Sequence, residues 1–400
     1  MSALSDALST IESLIRAVEE RVSALAQPIS GEPFERVGFI DGSYAMDERR
    51  GVYVLALSAA SIVVNGGRME GVLRGSAKPH ITLLAPKSYA ESRASMLMSI
   101  FELLGAVDLV RRGVEAVFLD GSYVSEMMVP FGHARDVYER FNPLSAGVRA
   151  GALDEWGEAS SKAALEAAAG ELPASLAELL ERIYSHSNGV YSEICGVAPD
   201  VKSRKEALDF AVVYCETTAY LALLNHLLDE CERRGVKPFW VAKDAESRYI
   251  VEREGILGWL NDLSLLDYAW RDRESVHTTL KGVPIHKPKP CALWTPLLDE
   301  VYERWGGYGV SYFKFGRAGA VSQMTYPHFV GEEDVSAALA TLQALADHRG
   351  YPRPLSYVHH IAVLNPEFAK LIADELYRRE KNPILKSMLA PSGRAMAGLR

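Results

Sequence analysis

The amino-acid sequence predicts an α/β fold in which helices flank a mixed β-sheet on both faces. Three observations lead to this class. β-Branched apolar runs open the chain after a first helix, and a long helical segment separates them from a further strand. Two long helical segments in the middle of the chain then lead into another apolar strand. A mixed tail of short strands and helices follows, so hairpins and helical crossovers both occur.

Composition and charge limit the function classes. The chain has 400 residues, of which 48% are apolar and 24% charged, so it can bury a core without disulfides or a structural metal. Its formal charge of −9 excludes a surface coated in basic residues. Nucleic-acid binding would therefore need a local basic groove. The four cysteines form no C-x-x-C pair, which favours a reducing cytoplasm. No signal peptide or membrane-spanning segment is expected.

The first segment, residues 1–29, is predicted to be an amphipathic helix. Apolar residues recur every three or four positions from Leu4 to Ala26, and Pro28, Gly31 and Pro33 end the pattern. Such a helix either packs on its own domain or contacts a second subunit or a partner. The remaining residues, 30–400, are expected to form the main domain.

Strands and one long helix follow in the first third of the main domain. Asn65-Gly66-Gly67 is a turn signal between strands. Gly113 is positioned to end the helix, with arginines in its last turn. The predicted strands are Val37–Ile40, Val52–Ser58, Ser61–Val64, Ile81–Ala85 and Val114–Leu119, and the predicted helix is Glu91–Arg112.

The middle of the chain predicts a helical insertion at about residues 150–235. It consists of two long helices, Ala152–Tyr184 and Ser203–Arg234, with a loop at His186-Ser187-Asn188-Gly189. The remaining predicted strands are Lys237–Ala242, Ala292–Trp294, Gly309–Phe315 and Ser322–Tyr326, and the closing helices are Glu332–His348, Leu355–Leu364 and Pro366–Arg379.

One tetrapeptide occurs twice, each time after an apolar strand. Asp41-Gly42-Ser43-Tyr44 and Asp120-Gly121-Ser122-Tyr123 both place an aspartate at a predicted strand end, before a glycine that permits a sharp turn. If the two strands are neighbours, the carboxylates lie together and repel unless a proton or cation separates them. Oxygen ligands of this kind suit Mg²⁺ or Mn²⁺. The alternative is a pair of ordinary Asx turns.

A third carboxylate comes from the intervening helix. Glu102 shares an edge of the apolar face with Met98 and needs a partner if it is buried. Glu91 and Glu115 are weaker candidates, and Glu102 could also reach water from a boundary position. The order Asp41, Glu102, Asp120 is the carboxylate layout of an RNase H-like sheet.

Three residues in the second half complete the candidate site. Lys243 ends a predicted strand, where it could hold a phosphate or simply emerge into water. His359 lies on the inward face of its predicted helix and His360 on the outward face. Such a histidine is either hydrogen-bonded in the core or, beside a carboxylate cluster, a metal ligand. Tyr351 stands eight residues before His359.

Several known motifs are absent from the sequence. It contains no G-x-x-x-x-G-K-[ST], G-x-G-x-x-G, H-E-x-x-H or G-x-S-x-G. The nuclease signature Pro-Asp followed by (Asp/Glu)-x-Lys is only half present. Pro199-Asp200 matches, but Val241 stands where the acid before Lys243 is needed.

Four short motifs together resemble the NurA nuclease family. They are Phe39-Ile40-Asp41-Gly42-Ser43, Val117-Phe118-Leu119-Asp120-Gly121-Ser122, Val241-Ala242-Lys243-Asp244 and Tyr351-Pro352 with His359, in the family's order. The resemblance implies an RNase H-like core, a homodimer and a mainly archaeal distribution. It also implies a Mn²⁺-dependent nuclease, with Mg²⁺ as the alternative, that degrades single-stranded DNA and duplex ends. The implied partner is a HerA-type hexameric ATPase in DNA end resection for recombination.

The same resemblance implies roles for individual residues. Asp41 and Asp120 match the family's metal-binding aspartates, and Glu102 its helix glutamate. The implied ligands of one or two divalent cations are Asp41, Glu102, Asp120 and His359. Tyr351 and Lys243 would position water or contact a phosphate. The implied activities are 5′–3′ exonuclease and single-strand endonuclease.

The DNA groove has its own candidates. The candidate basic residues are Arg49, Arg50, Lys314 and Arg317. The candidate aromatic residues for stacking on bases are Tyr44 and Tyr123.

Two other functions remain open from the residues. One is an actin-like phosphotransferase or ATPase, which also uses an aspartate before a glycine turn. Gly306-Gly307 is then the adenosine-binding candidate. The other is a non-catalytic regulatory subunit of a DNA translocase.

Overall fold

The protein is described here by a computed structural model covering residues 2–73, 79–131, 134–142, 150–172, 174–197, 201–256, 260–285 and 296–393. Within these residues ten strands form one sheet. The strands are β1 (Gln27–Pro28), β2 (Arg36–Glu48), β3 (Tyr53–Asn65), β4 (Arg68–Leu73), β5 (His80–Leu84), β6 (Ala116–Asp120), β7 (Lys237–Ala242), β8 (Val276–Pro284), β9 (Gly307–Lys314) and β10 (Ser322–Pro327).

Helices cover both faces of the sheet. Apart from one short 3₁₀ turn, they are α1 (Ser2–Ser23), α2 (Ala90–Arg111), α3 (Tyr123–Met128), α4 (Ala134–Arg140), α5 (Ala150–Ala169), α6 (Ala174–Val197), α7 (Val201–Arg234), α8 (Tyr249–Arg253), α9 (Asp262–Ala269), α10 (Pro296–Trp305), α11 (Glu332–Ala344), α12 (Arg353–Ala362), α13 (Pro366–Arg379) and α14 (Pro383–Leu389). The predicted class, a mixed sheet flanked by helices, is confirmed.

The sheet combines parallel and antiparallel pairs. Its order is β1-β8-β9-β10-β7-β6-β2-β3-β4, and β5 pairs with β3. The central strands β2, β6 and β7 are parallel to one another, whereas all other pairs are antiparallel. Parallel neighbours bring their carboxyl ends to one edge, and the helices between them make the crossovers.

Alternation along the central strands divides the apolar residues between two cores. Ile40 and Leu119 belong to the core under α2 and α7, whereas Phe39 and Phe118 face α11 and α12. Phe118 stacks on Phe39 at a centroid distance of 5.0 Å and on Phe239 at 5.4 Å. This aromatic row fixes the register of the three strands that lead to the edge with Asp41 and Asp120, because a one-residue slip would exchange the two faces.

The largest correction to the predicted elements concerns the first tetrapeptide. The strand does not end at Ile40, because β2 continues through Asp41 to Glu48. Every residue of this extension pairs with β3, which is likewise one strand where two were predicted. The turn at Gly66 and Gly67 is confirmed, with positive φ at both glycines.

The helical insertion also differs from its prediction. Two helices, α5 and α6, stand where one was expected over Ala152–Tyr184. The segment His186–Gly189 lies inside α6, not in a loop. Its polar residues suit a helix here because Ser187 Oγ donates to the Ile183 carbonyl at 2.7 Å. A Cβ on Gly189 would come within 2.3 Å of the Trp156 ring, so this glycine allows close helix packing.

Other predicted elements have mixed outcomes. The predicted strand Ala292–Trp294 lies outside the described residues, and β8 and α14 were not predicted. Helix α1 stands where the first helix was expected, and Val18 and Val22 are buried in the core. In α7, the stretch Arg204–Arg234 is long and apolar enough to cross a membrane, but its most apolar part is almost entirely buried inside the protein. That burial is typical of a core helix.

Candidate metal centre and nuclease site

Strand register places two carboxylates side by side. Ile40 on β2 is opposite Leu119 on β6 in the parallel ladder, so the next residues, Asp41 and Asp120, are neighbours. Asp120 ends its strand as predicted, whereas Asp41 lies inside a continuous strand. Each aspartate accepts a hydrogen bond at Oδ1 from the following glycine amide, at 2.8 Å for Asp41 and 3.1 Å for Asp120.

The third member of this cluster is brought by α12. His359 Nδ1 lies 2.7 Å from Asp41 Oδ2, and one ligand atom from each of Asp41, Asp120 and His359 lies within 4.8 Å of the others. His359 is half-buried and His360 exposed, as the helix pattern predicts. The structure therefore joins residues 318 positions apart into one set of two carboxylates and one imidazole.

The cluster contains more negative than positive charge. Burial raises the pKa of Asp41, and the neighbouring Asp120 carboxylate raises it further. The hydrogen bond from His359 opposes both effects. Two close carboxylates beside one imidazole are most stable when a proton or a cation lies between them.

Glu102 reaches the same site from the opposite face of the sheet. It is buried on α2, and a Cβ on Gly42 would come within 2.7 Å of its Cγ. Gly42 alternates with Asp41 and faces α2, so its missing side chain is what lets Glu102 approach the strand. Glu102 lies outside the 4.8 Å cluster. Burial first and then the charges of Glu126 and Asp41 raise its pKa well above the ordinary value.

Sequence reasoning missed a fourth acidic residue, Glu126 on α3. It is buried, and the Tyr220 hydroxyl donates to its Oε2 at 2.5 Å. Burial raises the pKa of Glu126 to about 7, against the opposing effect of the Tyr220 bond. After burial, the neighbouring Glu126 carboxylate makes the largest contribution to the raised pKa of Glu102. The available signal in the sequence was an acidic residue six positions after Asp120. A helix this short shows no clear hydrophobic periodicity, so its buried face could not be predicted.

Lys243 and Tyr351 lie together at the edge of the site. Lys243 follows the end of β7, and its Nζ is 4.3 Å from the centroid of the Tyr351 ring, a cation–π contact. The Tyr351 hydroxyl is buried and has no hydrogen-bond partner among the described residues. Burial and the charges of Asp120 and Asp41 raise its pKa.

The four carboxylates and Lys243 line one open cavity of about 450 Å³. It is lined by Asp41, Ser95, Met98, Ser99, Glu102, Asp120, Gly121, Ser122, Ser125, Glu126, Val129, Ala242, Lys243 and Asp244. The donor set of carboxylate oxygens and one imidazole fits a hard or borderline divalent cation such as Mn²⁺. The unpartnered Tyr351 hydroxyl, held near both aspartates, fits the same interpretation because a metal-bound water would give it a partner.

The weaker carboxylate candidates lie elsewhere. Glu91 is exposed in the first turn of α2, about 16 Å along the helix from Glu102. Glu115 precedes β6 at the opposite end of the strand and accepts the backbone amides of Glu35 and Arg36. Neither residue lines the cavity.

Several proposed groove residues are also misplaced. Arg49 is buried and pairs with Asp47 and Asp374. Lys314 is buried and its Nζ donates to the Trp270 carbonyl at 3.0 Å. Tyr123 is fully buried, so it cannot stack on a base. Among the remaining candidates, Arg50 and Arg317 are exposed and Tyr44 is half-buried.

A family comparison decides what this arrangement belongs to. The model described as the NurA domain matches residues 35–364, which contain all six candidate site residues. The chain belongs to the NurA family. The resemblance seen in the sequence motifs is therefore confirmed. None of the curated proteins compared with the chain matches it.

Solved NurA structures share the fold over nearly the whole chain. The crystal structure of the NurA nuclease from Sulfolobus solfataricus has 15% identity and a TM-score of 0.60, covering 95% of this chain and 96% of that one. NurA with manganese has 11% identity and a TM-score of 0.64, covering 96% and 99%. NurA bound to dAMP and manganese has 14% identity and a TM-score of 0.66, covering 96% and 98%.

Proposed function

We propose that this member of the NurA family is a metal-dependent deoxyribonuclease. The observation that carries the proposal is the cluster of Asp41, Asp120 and His359, which has the donor types and spacing for a divalent cation. Solved relatives with manganese, and with dAMP and manganese, support Mn²⁺ as the cofactor and a nucleotide as the ligand. Mg²⁺ is the alternative cofactor, because it also takes oxygen ligands.

Each site residue has a role in this proposal. Asp41, Asp120 and His359 hold the cation, and Glu102 supports it from the opposite face of the sheet. A divalent metal held by these residues would supply activation of water and stabilisation of the charge on the phosphate and the leaving oxygen. Lys243 contacts a phosphate next to the bond that is cut. The Tyr351 hydroxyl, buried and without a partner, orients water or a phosphate oxygen.

The finer features of the family belong to the same proposal. We propose that the chain is RNase H-like, with residues 30–400 as the nuclease domain, the helices of residues 150–235 as an insertion, and the amphipathic helix of residues 1–29 as a packing or dimer element. Its substrates are single-stranded DNA and duplex ends, cut in the 5′–3′ direction and internally. It acts in the cytoplasm as a homodimer with a HerA-type hexameric ATPase in end resection for recombinational repair.

The decisive experiment compares wild type with the Asp120→Ala variant. Each protein is incubated with end-labelled single-stranded and duplex DNA in Mn²⁺, Mg²⁺ or EDTA. We expect wild type to cut with metal, EDTA to stop it and Asp120→Ala to be inactive. Equal cleavage by both proteins would contradict the site. Inactivity of wild type under every condition, followed by tight binding to a translocase, would favour the regulatory subunit.

The matched control changes a carboxylate on a neighbouring surface. Glu91→Gln alters an exposed residue in the first turn of α2 and should leave cleavage at the wild-type rate. ATP hydrolysis by the pure protein, without DNA cleavage, would favour the actin-like alternative. In the structure, Gly306 and Gly307 lie where α10 passes into β9.

A further inference from the structure

A buried polar network lies behind the segment that carries Lys243. Its centre is Asp262, the first residue of α9, which is fully buried. Asp262 Oδ1 accepts the backbone amides of Ile250 and Val251 at 3.0 and 2.9 Å. Its Oδ2 accepts the hydroxyl of Tyr312 at 2.6 Å. A buried carboxylate is costly to the fold unless it is fully hydrogen-bonded, and this one has three donors.

The same network ties Ser247 to the sheet. The Ser247 carbonyl accepts the Asp262 amide at 2.8 Å, and the Tyr312 hydroxyl lies 3.0 Å from Ser247 Oγ. Ser247 Oγ also donates to Gln323 Oε1 at 3.4 Å. Gln323 is the register partner of Ala242, the last residue of β7. One end of the segment is therefore held by the strand pair and the other by the network.

The residues between these two anchors include two that line the cavity. Lys243 and Asp244 form no helix or strand, and both are exposed. Their placement depends on Ala242 at one end and Ser247 at the other, since a four-residue connection between fixed ends has few conformations. In this arrangement Lys243 Nζ lies 4.3 Å from the centroid of the Tyr351 ring.

We propose that Asp262, Tyr312 and Ser247 are positioning residues that set Lys243 for phosphate contact. This inference rests on the proposed function and extends it to residues outside the cavity, since none of the three lines it. The network acts through the backbone of the connecting segment. A buried polar network specifies one geometry more strictly than apolar packing of similar volume. Displacing the ammonium group of a catalytic lysine by about 1 Å costs much of its effect on the rate.

The kinetic test is a double-variant cycle. Tyr312→Phe removes one hydroxyl from the network and leaves the ring, and Ser247→Ala removes the second link and is the gentler change. We expect each to lower kcat about 10-fold with KM changed less than about 2-fold, and to have no further effect in a Lys243→Ala background. A purely structural role would reduce activity by the same factor in both backgrounds, which would overturn the proposal.

The control variant is Tyr214→Phe in the helical insertion. Tyr214 is equally buried, and its hydroxyl donates to the Leu153 carbonyl at 2.8 Å. Tyr214→Phe should lower the free energy of unfolding about as much as Tyr312→Phe does, without changing kcat. If Tyr214→Phe lowers kcat as much as Tyr312→Phe does, the effect reflects general destabilisation and the proposal fails.

A second measurement does not depend on cleavage. Hydrogen exchange of the intact protein should show faster exchange at Ile250 and Val251 in Tyr312→Phe, with the amides of β2 unchanged. If wild type cuts no DNA, the proposed function fails, and this measurement still tests the network. Unchanged exchange around Ser247 in both network variants would overturn the positioning role by itself.

Discussion

The two copies of Asp-Gly-Ser-Tyr have identical sequences and different structures. The copy at Asp41 remains extended inside β2, where every residue pairs with β3. The copy at Asp120 ends β6, turns at Gly121 with φ of +107°, and starts α3 at Tyr123. Both aspartates nevertheless accept the next glycine amide and meet at one cluster. The preceding strand fixes the position of each aspartate. The residues that follow the motif determine whether the backbone stays extended or turns into a helix.

The glycines show this difference most clearly. Gly42 is needed because Glu102 occupies the space where its Cβ would be, whereas Gly121 has open space around it and is needed for its backbone angle. One residue type therefore serves two physical purposes in the same motif. The predictions below test this contrast, beginning with the shared aspartates.

The largest effect is expected where the two copies are alike. Asp41→Asn and Asp120→Asn should each weaken Mn²⁺ binding by at least about 100-fold, because each removes a charged ligand from the same cluster. Isothermal titration with Mn²⁺ measures this loss, and circular dichroism checks the fold. Asp108→Asn on the exposed face of α2 is the control. If one aspartate variant binds Mn²⁺ normally, the two copies do not share one metal.

The second-largest effect is expected at Glu126, on helix α3, which follows only the copy at Asp120. Because burial raises the pKa of Glu126 to about 7 from the usual 4.5, the metal-free folded state binds a proton that the unfolded chain releases. This contribution is complete below about pH 4.5 and is lost as pH rises through about 7. It corresponds to about 3 kcal/mol of unfolding free energy.

Glu126→Gln should remove this pH dependence. Urea unfolding in EDTA between pH 5 and 8 measures it, comparing the variant with wild type and with Glu91→Gln. The difference in unfolding free energy between wild type and Glu126→Gln should grow as pH rises. A difference that stays constant across this range would show that Glu126 is charged throughout.

Substitutions at Gly42 and Gly121 should destabilise the protein for different physical reasons. Gly42→Ala forces its Cβ against Glu102 and should cost about 1–3 kcal/mol of unfolding free energy. Gly121→Ala should cost about 1–2 kcal/mol through its backbone angle. Thermal unfolding of each variant in a Glu102→Ala background separates the causes. Only the Gly42→Ala defect should shrink there, and equal relief of both would refute the contrast.

The smallest effect concerns the two tyrosines. The Tyr123 hydroxyl is buried and donates to the Trp305 carbonyl at 2.7 Å, whereas Tyr44 is half-buried. Tyr123→Phe should therefore cost about 1 kcal/mol of unfolding free energy and Tyr44→Phe less than about 0.5 kcal/mol. Chemical denaturation resolves the two values. Equal losses would mean that the tyrosines have similar surroundings.

The sequence predicted the parts of the site that follow directly from strands and helix faces. Asp41 and Asp120 came from a repeated motif after apolar runs, and the inward face of His359 came from helical spacing. What failed depended on neighbours distant in the chain. The extension of β2 requires pairing with β3, and Gly189 reads as a turn until Trp156 packs against it. Glu126 lies on a helix too short to show a period.

The separation of 318 residues between Asp41 and His359 has a consequence for synthesis of the protein. A nascent chain that has already formed β2, β6 and their aspartates still lacks the imidazole, because His359 follows Asp120 by 239 residues. The cluster of Asp41, Asp120 and His359 is complete only when α12 has left the ribosome and docked. A partly made copy therefore carries two of the three residues of the candidate cluster, and the cluster can form only after α12 has been synthesised.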